Sequence, residues 1–228
     1  MKFISQIVTA GSGSIRGCTF SRNRSGAYIR GRVIPVNPTS AQQNIVRAAL
    51  ATLVARWTGT LTVAQRTAWD TWAFNTPQTD ALGQSITITG QNAYIKMNAP
   101  RIQVGLSIID TAPVVFAGAV LTPPAIVSAT AATDVLSISF TNTDLWATLV
   151  GGSLLVYVSR PQNPSVLFFK GPYRFMGRIN GAATPPTSPL PITSTFPFEV
   201  GQRVHAFFRA VQSEARISSP QRQSILAV

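Results

Sequence analysis

Leu136-Ser-Ile-Ser-Phe-Thr141 alternates apolar and hydroxylated residues through three repeats. A period of two puts Leu136, Ile138 and Phe140 on one face of a β-strand and Ser137, Ser139 and Thr141 on the other. Leu154, Val156 and Val158 repeat the pattern, as do Val204, Ala206, Phe208 and Ala210. Further candidate strands run through Val166–Phe169, Tyr173–Ile179 and Ser224–Val228. About seven short strands separated by turn residues predict an antiparallel β-sandwich over 125–228.

Ahead of that module lies a charge-free run, Thr111 to Thr133, which carries Pro113, Pro123 and Pro124. Prolines break a spanning helix, so no membrane segment is expected and 111–124 reads as a linker. Residues 1–110 have a different rhythm. Thr39 with Gln42 has capping-box spacing, Val46, Leu50, Leu53, Val54 and Trp57 recur at helical intervals, and Gly59 closes the run. Thr62 with Gln65 repeats the box ahead of Ala68, Trp69, Trp72 and Ala73, giving an αα-hairpin. The three tryptophans 57, 69 and 72 read as the core between these helices, with stacking on nucleobases the lesser alternative. Ile86 and Ile88 suggest a short strand, and Thr89-Gly-Gln-Asn92 opens a third helix that Pro100 is expected to kink or end. Ile15 to Val36 reads as a β-hairpin around Arg22-Asn23-Arg24-Ser25. With Asn23 and Arg24 as its loop, Cys18 and Phe20 share a face with Ala27 and Ile29, and Thr19, Tyr28, Arg30 and Arg32 take the other. The expected fold class is therefore α+β: a hairpin and helical domain (1–110), a linker (111–124) and an antiparallel sandwich (125–228).

Charge is distributed unevenly. The 228 residues hold 19 Lys+Arg against 7 Asp+Glu, for a net charge of +12. Nine of those cations lie in residues 1–69, which contain no acid; Asp70 is the first. Such a separation concerns partners rather than folding. Sixteen of the cations are arginine, whose planar fork suits phosphate and carboxylate. A G+C-rich genome would also raise the arginine share but would not remove the acids. Charged residues are only 11% and apolar ones 45% of the chain, which excludes a disordered basic tail.

The inventory for chemistry is thin. Cys18 is the single cysteine and His205 the single histidine, so thiolate zinc sites, disulfides and most histidine catalysis are excluded. Cys18 reads as an apolar filler and His205 as a surface or rim residue. The seven acids are scattered, with no pair at helical spacing. No enzyme activity, cofactor or metal is expected. Met1 to Ala10 has too short and broken an apolar stretch for a signal peptide, so synthesis and folding in the cytoplasm are expected. Phe168, Phe169, Tyr173 and Phe175 are either an aromatic platform for carbohydrate or, more economically, sheet packing.

Pro123-Pro-Ala-Ile-Val127, then Leu136 to Phe140, then Phe208-Arg-Ala-Val211 resemble a fibronectin type III module, with Phe140 where that family carries a strand tryptophan. In the first domain, Phe20-Ser-Arg-Asn-Arg-Ser-Gly-Ala-Tyr-Ile-Arg-Gly-Arg32, Pro38-Thr39, Leu61-Thr-Val-Ala-Gln-Arg-Thr-Ala-Trp69 and Thr89-Gly-Gln-Asn-Ala-Tyr94 together resemble a family from phage and prophage gene clusters, among head and tail structural proteins. That resemblance implies a virion structural protein of the head, connector or tail, made in the host cytoplasm. Its expected partners are other virion subunits and copies of itself. The alternative is a nucleic-acid-binding protein, because the hairpin side chains Arg16, Arg22, Arg24, Tyr28, Arg30 and Arg32 could meet either acidic subunits or DNA phosphates.

Overall fold

The computed structural model describes residues 13–23, 26–34, 36–37, 39–79 and 83–228, and gives no account of the side chains at 22, 23, 26 and 42. The chain forms two compact units, 1–41 and 42–228.

The first unit is a three-stranded antiparallel meander of β1 (Gly13–Ile15), β2 (Cys18–Asn23) and β3 (Gly26–Gly31). Asn23 pairs with Gly26, so the two-residue loop lies one position beyond the expected one and every pair shifts by two. A shift of two preserves side-chain faces. Phe20 therefore still lies on the Ile29 face, while Thr19 sits opposite Arg30 and Ser21 opposite Tyr28. Arg16, at φ +50°, turns the chain from β1 into β2.

The second unit opens with α1 (Ala41–Gly59) and α2 (Val63–Asn75). The Thr62–Gln65 capping box forms in both directions: the Thr62 hydroxyl accepts from the Gln65 amide at 3.2 Å, and Gln65 Oε1 accepts from the Thr62 amide at 2.9 Å. The corresponding Thr39–Gln42 expectation rests on a side chain outside the described residues. A two-stranded ribbon, β4 (Gln78–Thr79) and β5 (Ser85–Ile86), leads to α3 (Gly90–Gln103). Thr89 caps α3, and a Cβ at Gly90 would lie 2.6 Å from the Asp70 backbone nitrogen, so only glycine fits this approach. Pro100 does not end the helix. It sits three residues before the end of α3, where only one turn follows, and its carbonyl still accepts from Val104 at 3.3 Å.

The remaining strands are β6 (Ala125–Thr130), β7 (Val135–Ser139), β8 (Ser153–Val158), β9 (Arg174–Asn180), β10 (Leu190–Thr193), β11 (Arg203–Val211) and β12 (Gln221–Leu226). The single turn α4 (Leu145–Thr148) stands between β7 and β8. They form two antiparallel sheets, β10-β7-β6 and β12-β11-β8-β9. Leu136 and Ile138 from the first meet Leu154, Val156, Ala206 and Phe208 from the second in one buried core. Trp146 of α4, fully buried, fills that core beside Phe140 with ring centroids 5.3 Å apart.

The other face of the four-stranded sheet is also covered. Leu155 and Val211 point away from the first core and pack with Leu53, Trp69, Trp72, Tyr94 and Met97 of the helices. The unit thus has three layers: helices, four-stranded sheet, three-stranded sheet. In the 111–124 segment Ala112 is buried in the helical core and Leu121 in the core between the sheets, Val115 O accepts from Trp72 Nε1 at 3.1 Å, and Ala119 bridges to Ser218. Within α1 the inward residues are Ala49, Leu53 and Trp57, while Val46, Leu50 and Val54 of the expected stripe are exposed. Ala68 of α2 is likewise exposed.

Candidate functional site

The basic sheet is built from residues that cannot neutralise one another. Residues 1–41 contain six cations and no acid. Arg16 is exposed in the β1–β2 turn. Tyr28 is half-buried on β3, and Arg30, two residues on, lies exposed on the same face opposite Thr19. Arg32 is exposed just beyond β3, and its amide donates to Gly17 O at 2.8 Å, extending the ladder by one bond. Arg22 pairs in register with Ala27, but its side chain lies outside the described residues, as does Arg24. The geometry therefore gathers Tyr28, Arg30 and Arg32 in succession along one strand, with Arg16 at a turn.

None of the described residues of this sheet is buried. Cys18, expected as an apolar filler, is exposed. Ile15, Val33, Ile34 and Val36 are also exposed, at 68, 81, 77 and 90%.

Five of the seven carboxylates serve as internal braces. Asp110 accepts two bonds from Arg56, at 2.8 Å from Nε and 2.6 Å from Nη2, and one from the Tyr94 hydroxyl at 3.1 Å. The Arg56 bond, followed by that of Tyr94, holds the Asp110 carboxyl below its ordinary range against the opposing effect of burial. Burial, reinforced by the Asp110 charge, pushes the Tyr94 hydroxyl up. Asp70 accepts from Gly90 N at 2.9 Å, Asp134 from Phe198 N at 2.9 Å, and Asp144 from Thr122 N at 3.0 Å. Glu214 pairs with Arg216 at 2.5 Å. Arg16, Arg30 and Arg32 belong to neither of the ion pairs found among the described residues, Arg56–Asp110 and Arg216–Glu214.

His205 departs from its expected place on the rim. It is 4% exposed, its Nε2 lies 3.0 Å from Val166 O, and its ring stacks on Phe169 at 5.5 Å. The 163–169 segment covers the outward face of β11, which strand alternation alone could not reveal. The four aromatics considered as a platform divide in the same way. Phe169 packs on Tyr173, Tyr173 stacks on Phe207, and Phe175 leans on Tyr157, which leaves Phe168 outward at 73% exposure. Among the described residues no three His, Cys, Asp or Glu side chains converge on a metal position, and no helix is long and apolar enough to cross a membrane.

Comparison with family models, with curated proteins and with solved structures found no match to this chain.

Proposed function

We propose that the protein is a phage virion structural subunit that joins its assembly through protein–protein contacts made by the N-terminal basic sheet. The observation that carries this reading is a three-stranded sheet in which no described residue is buried, in a unit with six cations and no acid. The motif resemblance supplies the virion context. The three-plus-four strand order over 125–228 supports reading that region as a fibronectin type III-like module, a type of unit suited to presenting edges and loops in an assembly.

The chemistry narrows the partner. A second copy carries the same excess of positive charge, and its Asp70, Asp110, Asp134, Asp144 and Glu214 already accept internal bonds. The basic sheet therefore docks on a different, acidic virion subunit, and copies of the chain meet through other surfaces.

Mass spectrometry of purified virions tests the context, with the protein expected at stoichiometric copy number; absence from the particles overturns it. Charge reversal tests the surface. The Arg30→Glu/Arg32→Glu double variant folds normally but fails to incorporate into particles. DNA retardation at low salt, with a log affinity–log salt slope of about −4 to −5 for five phosphate contacts, would reassign the surface to nucleic acid.

A further inference from the structure

A cavity of about 500 Å³ opens between α2, α3 and β11. Arg209 of β11 and Lys96 of α3 line it together with Trp72, Met97, Phe116 and Ile217, and its described lining contains no carboxylate. The Arg209 guanidinium lies over the Phe207 ring at 5.6 Å, and its Nε is buried with no hydrogen-bond partner. The Lys96 ammonium donates to Gln78 Oε1, which leaves further protons to offer. Burial, and then the Arg209 charge, pull Lys96 below its ordinary value.

Three of the neutral donors around the cavity are already committed. Asn75 Nδ2 donates to Thr71 O at 2.9 Å, Thr76 Oγ1 to Trp72 O at 2.7 Å, and Ser218 Oγ to Ser219 O at 3.0 Å. Arg209 and Lys96 are the cationic donors that face whatever enters. The volume falls in the range of small-molecule sites and is much larger than a bare inorganic oxyanion needs. Trp72, Met97, Phe116 and Ile217 offer the remainder of a ligand an apolar wall.

We propose that this cavity binds an organic oxyanion, a phosphate monoester or carboxylate carried on an apolar body, with Arg209 gripping the anionic head and Lys96 completing its charge balance. The site is independent of the basic N-terminal sheet and of any assembly role. Isothermal titration calorimetry on the full chain tests it with phenyl phosphate, phenylacetate, inorganic phosphate and benzyl alcohol. At least one of the two aryl oxyanions binds about tenfold or more tightly than inorganic phosphate and benzyl alcohol, and the stronger of the two names the head group. Lys96→Met and Arg209→Met each weaken that binding by about tenfold or more. Circular dichroism checks that Arg209→Met folds; if it does not, Lys96→Met, on an exposed position of α3, decides alone. No heat from either aryl oxyanion at millimolar concentration, or affinity unchanged in the folded variants, overturns the proposal.

Discussion

Arg101 of α3 donates through Nη1 to the carbonyl of Gln212 at 2.9 Å, tying the helical layer to the residue that follows β11. Its Nε donates to Ser107 O at 2.8 Å, and the residue is only 2% exposed. Both bonds go to carbonyl oxygens rather than to a carboxylate, and burial pulls the guanidinium below its ordinary value. Arg101→Met would relieve a buried charge but strip the Ser107 carbonyl of its donor, while the Gln212 carbonyl keeps the Ala215 amide at 3.1 Å. The balance is a loss of about 2–4 kcal/mol, read as a lower urea midpoint. Tryptophan fluorescence and far-UV circular dichroism should still coincide, because the two layers share a core and unfold together.

Asp110 holds Arg56 and Tyr94 in one network, and the fork is only partly shielded, with the Arg56 side chain 37% exposed. Asp110→Asn is expected to cost about 1–2 kcal/mol at neutral pH after allowance for solvent screening. The depressed carboxyl sets the sign. Its contribution is complete above the unfolded value of 3.8 and is lost as pH falls through the lower folded value. Urea unfolding between pH 7 and acid should show a shallower decline in the variant than in the parent.

His205 titrates in the opposite chemical sense with a similar outcome. Burial, with a lesser push from Arg203, lowers its folded value below 6.5 against the opposing bond to Val166. The unfolded chain therefore takes up the proton first, so stability is complete above 6.5 and declines as pH falls towards the folded value. Thermal melts from pH 8 to pH 5 should show this decline in the parent and a flatter profile in His205→Gln.

Leu50 and Leu53 stand three residues apart on α1 with opposite fates, the first 48% exposed and the second fully buried. Leu53→Ala should cost about 2–5 kcal/mol, and Leu50→Ala much less, in parallel chemical melts. A larger loss from Leu50→Ala than from Leu53→Ala would mean that the helix is turned the other way.

Features governed by local chemistry could be read from residue order alone. The Thr62–Gln65 box and the Thr89 cap need only neighbours on the same chain segment, and the alternation around Leu136 and Phe208 needs only a pleat. What escaped was set by the layer packed on top. Leu155 and Tyr157 make β8 apolar on both faces, which was the available signal that its outer side is covered too. No comparable signal marked His205, whose lid is supplied by a loop some 39 residues away. α1 is apolar around much of its circumference, so its pattern named candidates for the core without saying which side would be used. For the basic sheet, sequence identified the faces but placed the loop one residue early. Arg209 and Lys96, 113 positions apart, could not be paired by any linear pattern.

Sandwiching β8 and β11 between helices and a second sheet has a practical cost for anyone dissecting the molecule. A polypeptide started at residue 125 would strip the helical cover and leave Leu155, Tyr157 and Val211 facing water as a contiguous greasy plane, primed for clumping rather than for solitary folding. The minimal piece able to stand by itself therefore reaches back to the helices, whose tryptophans serve the sheet as much as each other.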